Sequence, residues 1–116
     1  MKFLIIGLGS IGKRHIKNLI NLKITPKNIT GYDPREDRVK EVKAYGVENF
    51  ISNLNAIKKD EFDGAFICSP TSLHVKQAII LAKKNINLFI EKPLDSKISN
   101  VDNLIKIQKQ KKIKIL

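Results

Sequence analysis

The chain has 116 residues, 42% of them apolar and 28% charged, with a formal charge of +11 from 22 basic and 11 acidic side chains, as expected of one globular domain. Its apolar runs are strand-sized, which excludes a membrane-spanning helix, and Cys68 is the only cysteine, which excludes an intrachain disulfide. The basic excess is nearly all Lys, spread along the chain with only Arg14, Arg35 and Arg38 as arginines, and no helix-turn-helix, zinc or aromatic stacking signature accompanies it; a specific nucleic-acid reader is therefore not expected.

Strand and helix signals alternate from the first residues. Strand one covers roughly Lys2 to Ile6 and reads as a core strand, not a signal peptide. It runs straight into Gly7-Leu8-Gly9-Ser10-Ile11-Gly12, a Gly-x-Gly-x-x-Gly turn. Helix one follows from Ser10 to Leu22, with Gly12, Ile16, Leu19 and Ile20 on one face. Strand two is Asn28 to Tyr32. Helix two starts near Pro34 and stops at Gly46. Strand three is Val47 to Ile51, and a short helix lies around Leu54 to Lys58. Strand four, Gly64 to Cys68, is apolar on both faces, as a central parallel strand should be. Helix four runs from about Thr71 to Lys84 with Val75, Ala78, Ile79 and Ala82 on one face. Strand five is Asn87 to Ile90. Helix five, Lys97 to about Lys111, is expected to bury Ile98, Val101, Leu104 and Ile105, and Ile113 to Leu116 reads as a sixth strand. The pattern predicts an α/β Rossmann fold: a doubly wound parallel sheet, order 3-2-1-4-5-6, helices on both faces.

Ligands of such sheets sit beyond the carboxyl ends of the strands, where the strand order switches, and the chemically informative residues lie there. In the first loop, Gly7 allows the tight turn, Gly9 lets the backbone approach a pyrophosphate, and Gly12 brings the helix close to the sheet. Free N–H groups at the start of helix one would receive phosphate oxygens. Asp33 ends strand two; it either accepts the adenosine ribose hydroxyls, which favours NAD, or caps helix two. Arg35 keeps NADP open, because its guanidinium could meet a 2′-phosphate or stack on adenine. After strand four comes Cys68-Ser69-Pro70-Thr71-Ser72-Leu73-His74. Ser69 or Thr71 is expected to cap the next helix, with Pro70 fixing its entry. His74 is either a packing residue or a contact near the nicotinamide ribose, and Cys68 reads as apolar filler. Glu91-Lys92-Pro93 follows strand five. Its two charges should face the cleft or pair with neighbours. Lys92 could donate to a substrate oxygen during hydride exchange, and a cis bond before Pro93 would turn it inward.

Taken together, Gly7 to His15, Asp33, Ser69-Pro70-Thr71-Ser72-Leu73-His74 and above all Glu91-Lys92-Pro93 resemble the Gfo/Idh/MocA oxidoreductases, over essentially the whole chain. The resemblance implies a nucleotide held by Gly7, Leu8, Gly9, Ser10, Ile11, Gly12 and Asp33, with Arg35, Ser69, Pro70, His74 and Glu91 also at the cofactor. It implies Lys92 beside the nicotinamide as the catalytic residue, and no metal. Substrates of the family are sugars, sugar nucleotides and polyols. Members carry a second α/β domain that completes the cleft and often forms a dimer, so residues 1–116 correspond to the NAD(P)-binding half, excised or as a natural fragment. A cytoplasmic protein, a sugar or sugar-nucleotide substrate met through the second domain, no membrane partner and homo-oligomers are the accompanying expectations. A stand-alone NAD sensor without catalysis is the alternative.

Overall fold

The computed structural model describes residues 1–92 and 98–116. Its strands are β1 (Phe3–Ile6), β2 (Ile29–Tyr32), β3 (Asn49–Phe50), β4 (Gly64–Ile67) and β5 (Asn87–Ile90); its α-helices are α1 (Ser10–Asn21), α2 (Glu36–Lys43), α3 (Thr71–Ala82) and α4 (Ile98–Lys111). All strand pairs are parallel, in the order β3-β2-β1-β4-β5. The chain therefore winds outward from β1 through β2 to β3, then returns to the other side of β1 with β4. The switch point lies between β1 and β4.

Alternation along the strands divides the interior. Leu4 and Ile6 of β1, Ala65 and Ile67 of β4, and Leu88 and Ile90 of β5 face Val75, Ala78, Leu81 and Ala82 of α3 and Leu104 and Ile107 of α4. Ile5, between its two neighbours on β1, points the other way and meets Ile16 and Leu19 of α1 and Val42 of α2. Both faces of the central strand are thus dry, which is what its unbroken apolar sequence requires.

Four expectations need correction. Helix two begins at Glu36, not Pro34. The Asp33 carboxylate accepts from the Arg35 N–H at 2.9 Å, and this Asx turn holds residues 33–35 outside the helix. β3 is only two residues long. Among the described residues no sixth strand forms: one parallel bridge joins Leu88 to Ile115, and residues 114–116 reach the edge of β5. On α4, Ile105 is 41% exposed while Ile107 is buried, because the helix meets α3 along Val101, Leu104 and Ile107. The expected start of that helix at Lys97 and the cis bond before Pro93 lie outside the described residues. No helix among the described residues is long and apolar enough to cross a membrane.

Candidate functional site

Three loops leave the carboxyl edge side by side, each continuing the sheet's hydrogen bonds one step further. Gly7 N–H donates to the Tyr32 carbonyl at 2.9 Å, Cys68 N–H to that of Ile6 at 2.7 Å, and Glu91 N–H to that of Ile67 at 3.0 Å. The first two loops touch backbone to backbone. Gly7 has φ +88°, and a Cβ there would lie 2.6 Å from the Cys68 carbonyl carbon and 2.7 Å from the Ser69 nitrogen. Only glycine satisfies both the left-handed turn and that approach.

Gly12 has the same steric character for a different reason. Its absent Cβ would fall 1.9 Å from the Gly7 carbonyl oxygen, so α1 presses directly on the loop that feeds it. Gly9 differs. A Cβ on Gly9 would meet only the guanidinium of Arg38, at an ordinary 3.7 Å. The protein leaves room for a methyl beside Gly9, bordered by the Arg38 guanidinium.

Two helices begin at this edge of the sheet with no side-chain cap. Gly9 occupies the N-cap of α1 and Pro70 that of α3, and neither supplies an acceptor. The expected capping by Ser69 or Thr71 does not occur; the Ser69 hydroxyl instead donates to the Gln77 amide oxygen, one α3 turn and more away. First-turn amides without internal acceptors, backed by the helix dipole, form an anion site. The donor set fits the diphosphate of a dinucleotide.

Asp33 closes one side. Its side chain is 3% exposed; Oδ2 accepts from the Leu8 N–H at 2.8 Å and from Arg38 at 3.4 Å, and Oδ1 accepts from the Arg35 N–H. Asp33 is therefore not the N-cap of α2, whose cap position is Arg35. Leu8 turns its own side chain into the core beside α1 and α2. Arg35 points outward, 58% exposed and forked onto Asp37 with bonds of 2.7 and 3.1 Å. That pairing holds the Asp37 carboxyl below, and the Arg35 guanidinium above, their ordinary ranges. A cleft of about 210 Å³ lies between these residues, walled by Ile6, Tyr32, Pro34, Arg38, Pro70 and Leu73. Its mostly apolar lining with a few convergent polar groups is the usual character of a small-molecule site.

His74 is 2% exposed. Its Nε2 bonds the Ser69 carbonyl oxygen, so that nitrogen carries the proton and the ring braces the β4–α3 loop from below. Glu91 pairs with His15 of α1, Oε1 to Nε2 at 2.9 Å. The His15 ring lies against Phe66 at 4.8 Å and Phe89 at 5.2 Å. Lys92 is exposed, and among the described residues its ammonium forms no ion pair. Burial, then the negative charge of Glu91, pushes the Cys68 thiol up to about 12, which suits filler rather than a nucleophile. Ser10 and Ile11 are exposed at the first turn of α1. No cluster of three or more His, Cys, Asp or Glu among the described residues could hold a metal ion.

Sequence reasoning passed over three members of this site. Arg38 and Gln77 sit on helices, where single polar residues look like solvent-facing positions. His15 meets Glu91 across 76 residues of chain. The signal for Arg38 was its spacing, five residues beyond Asp33 and in the first turn of α2.

Comparison with known proteins agrees with this geometry. Residues 1–116 match the GFO_IDH_MocA model, described as an oxidoreductase family with an NAD-binding Rossmann fold. The chain is 34% identical over 112 residues to a myo-inositol 2-dehydrogenase of Thermotoga maritima, covering 95% of this chain and 33% of that protein. It is 32% identical over 92 residues to a scyllo-inositol 2-dehydrogenase (NAD(+)) of Bacillus subtilis, covering 78% and 27% respectively. A crystal structure of a probable dehydrogenase from Thermotoga maritima superposes with TM-score 0.87 at 32% identity, over 100% of this chain and 35% of the other. The chain thus spans a third or less of the two curated relatives.

Proposed function

The chain belongs to the Gfo/Idh/MocA oxidoreductase family, whose NAD-binding Rossmann fold it forms, and from that premise we propose that it presents NAD(H) for hydride transfer to or from a polyol or sugar carbon. The observation that carries this reading is the contrast within the first loop: Gly7 and Gly12 are forced by the protein's own packing, whereas a Cβ on Gly9 would reach only ordinary contact with Arg38, at a helix start with no side-chain cap.

In this reading the N–H groups of Gly9, Ser10, Ile11 and Gly12 take the diphosphate, with Ile11 lining the pocket beyond it. Asp33 accepts a ribose hydroxyl through the lone pairs that Leu8 and Arg35 leave free. Ser69 and Pro70 form the facing wall, and His74 serves by holding the Ser69 carbonyl in place. Bound there, NAD supplies a two-electron acceptor for a carbinol carbon. Glu91, fixed by His15, sets the direction in which the chain leaves β5, and Lys92 next to it would hydrogen-bond the substrate oxygen, donating a proton to a carbonyl oxygen in the reducing direction, whereas in the oxidising direction the hydroxyl proton would leave to a base outside these residues. The names of the two curated relatives place cyclitols among the substrates of similar proteins, and a ring polyol is the substrate class proposed here. The remaining substrate and proton-transfer groups are proposed to come from a second domain, as the greater length of those relatives suggests.

Titration of the 116-residue chain with NADH tests the cofactor reading directly. Saturable binding that Gly9→Ala weakens by about ten- to a hundredfold is expected. Binding unaffected by that substitution would place the dinucleotide elsewhere. Turnover is tested in the longer protein, where Lys92→Ala should lower kcat while NADH affinity stays within about threefold.

A further inference from the structure

Helix α1 opens in the glycine loop and, one turn beyond Gly12, reaches over the sheet to the residue in front of Lys92. Alternation along β5 sends Leu88 and Ile90 toward α3 and α4 and leaves Phe89 and Glu91 on the α1 side. Glu91 is fixed there twice. Its N–H continues the sheet onto the Ile67 carbonyl at 3.0 Å, and its Oε1 accepts from His15 Nε2 at 2.9 Å. We infer that His15 is a positioning residue for the hydride-transfer end of the cleft: by holding Glu91, it fixes the point from which Lys92 reaches the substrate oxygen. The inference rests on Lys92 meeting that oxygen.

The surroundings of His15 ask for more than packing. Its imidazole lies against Phe66 at 4.8 Å and Phe89 at 5.2 Å. Those two rings meet each other at 5.5 Å, and Phe3 joins Phe66 at 6.0 Å. A phenyl ring at position 15 would fill the same space, so what the imidazole adds is a donor. An ionised carboxylate only accepts, which puts the proton on Nε2. The flanking rings hold the imidazole plane, and the two side chains are only 16% and 27% exposed. The bond is therefore shielded from water and kept in one geometry, unlike an ion pair on the surface. Gly12 allows the reach, since its missing Cβ lets α1 lie against the Gly7 carbonyl, and His15 follows three residues later. Lys92 has no such anchor of its own. Its side chain is exposed and forms no ion pair among the described residues, so its placement is inherited from Glu91.

Substitutions at both ends of the bond separate donor from ring. H15F keeps a ring between Phe66 and Phe89 and removes the donor. H15Q keeps an N–H for Glu91 and removes the ring. E91A removes the acceptor. In the 116-residue chain, amide hydrogen exchange is followed at residue 91, with the Cys68 amide at the same edge as control. Protection at residue 91 should fall by about tenfold in H15F and E91A, and by less than about threefold at Cys68. The NADH dissociation constant should stay within about threefold of the parent. In the longer protein, H15F should lower kcat by about tenfold or more with KM for NAD within about threefold, and H15Q should recover most of the loss. The double variant H15F/E91A should be no slower than either single variant, as residues acting through one bond require. Unchanged protection and kcat in H15F, H15Q as slow as H15F, or additive losses in the double variant would overturn the inference. If H15F does not fold, E91A decides: a kcat like the parent's overturns it. A Lys92→Ala protein with unaltered kcat is a separate result, which would overturn the role of Lys92 and this assignment with it.

Discussion

Replacing Gly9 and Gly12 by alanine, one at a time, separates what the loop does for the fold from what it does for a ligand. At Gly12 the new methyl would sit 1.9 Å from the Gly7 carbonyl oxygen. Both partners are backbone, so neither can swing aside, and α1 must retreat by about 1.5 Å to reach ordinary contact. Overpacking of this kind costs about 1–3 kcal/mol. The helix-propensity gain of Gly→Ala, up to about 1 kcal/mol, offsets part of it. At Gly9 the methyl meets nothing closer than 3.7 Å, and φ −74° with ψ −164° is open to any residue. The loss there should stay below about 1 kcal/mol, the cost of an alanine at an N-cap. Ligand affinity should follow a different order. A methyl on Gly9 separates the amides from a diphosphate, and losing one or two charge-assisted hydrogen bonds weakens binding by about ten- to a hundredfold. Thermal melting and NADH titration of both variants measure the two effects. Gly12→Ala should lower the melting temperature by about 4 °C for each kcal/mol lost, whereas Gly9→Ala should barely move it and yet show that weakened affinity. A Gly9→Ala protein that binds NADH like the parent would refute the reasoning.

Other outcomes follow from the same geometry. Asp33→Ala should weaken NADH more than NADPH, since it removes the ribose acceptor and releases Arg38; parallel losses in both titrations would mean that Asp33 serves only the turn to Arg35. The Cys68 thiol, held near 12 against an ordinary value of 9.0, should resist iodoacetamide at pH 8 in the native chain and react at the rate of a free thiol in denaturant. Because the native thiol keeps its proton while the unfolded one loses it, this group's contribution to stability is intact below pH 9 and declines toward pH 12. Denaturant midpoints across that range should fall less steeply in Cys68→Ala; identical slopes would contradict the burial argument. Despite the +11 charge, DNA binding should be weak and vanish at moderate salt, and a filter-binding assay at two salt concentrations decides it.

The central part of the fold was legible because local and long-range demands coincide there. Strand β1, the glycine turn and α1 each carry their own pattern, and together they admit one arrangement. The β5 boundaries came out unchanged, since an apolar run between Asn87 and Glu91 leaves little freedom. Pro34 misled because proline suits a first helical turn in general, while here a side-chain bond from its neighbour Asp33 takes the backbone past it before the helix can start. The α4 stripe was read two residues off at Ile105 because only contact with α3 decides between Ile105 and Ile107. At the site, residues after strands were found by topology alone. Partners on helices were not, since the meeting of His15 with Glu91, or Arg38 with Asp33, depends on crossovers that bring distant segments together.

The contact between Gly7 and the Cys68–Ser69 backbone has a dynamic corollary. Two walls of one crevice, grown from different parts of the chain, are welded at their base and move as a block. In the proposed reading, a cofactor arriving there would find its shape already made, with the entropy of arranging it lost during folding and not at the encounter. Hinge-like closure over a bound molecule must then be the work of other segments, and the rate of capture by this floor should be set by diffusion and charge alone.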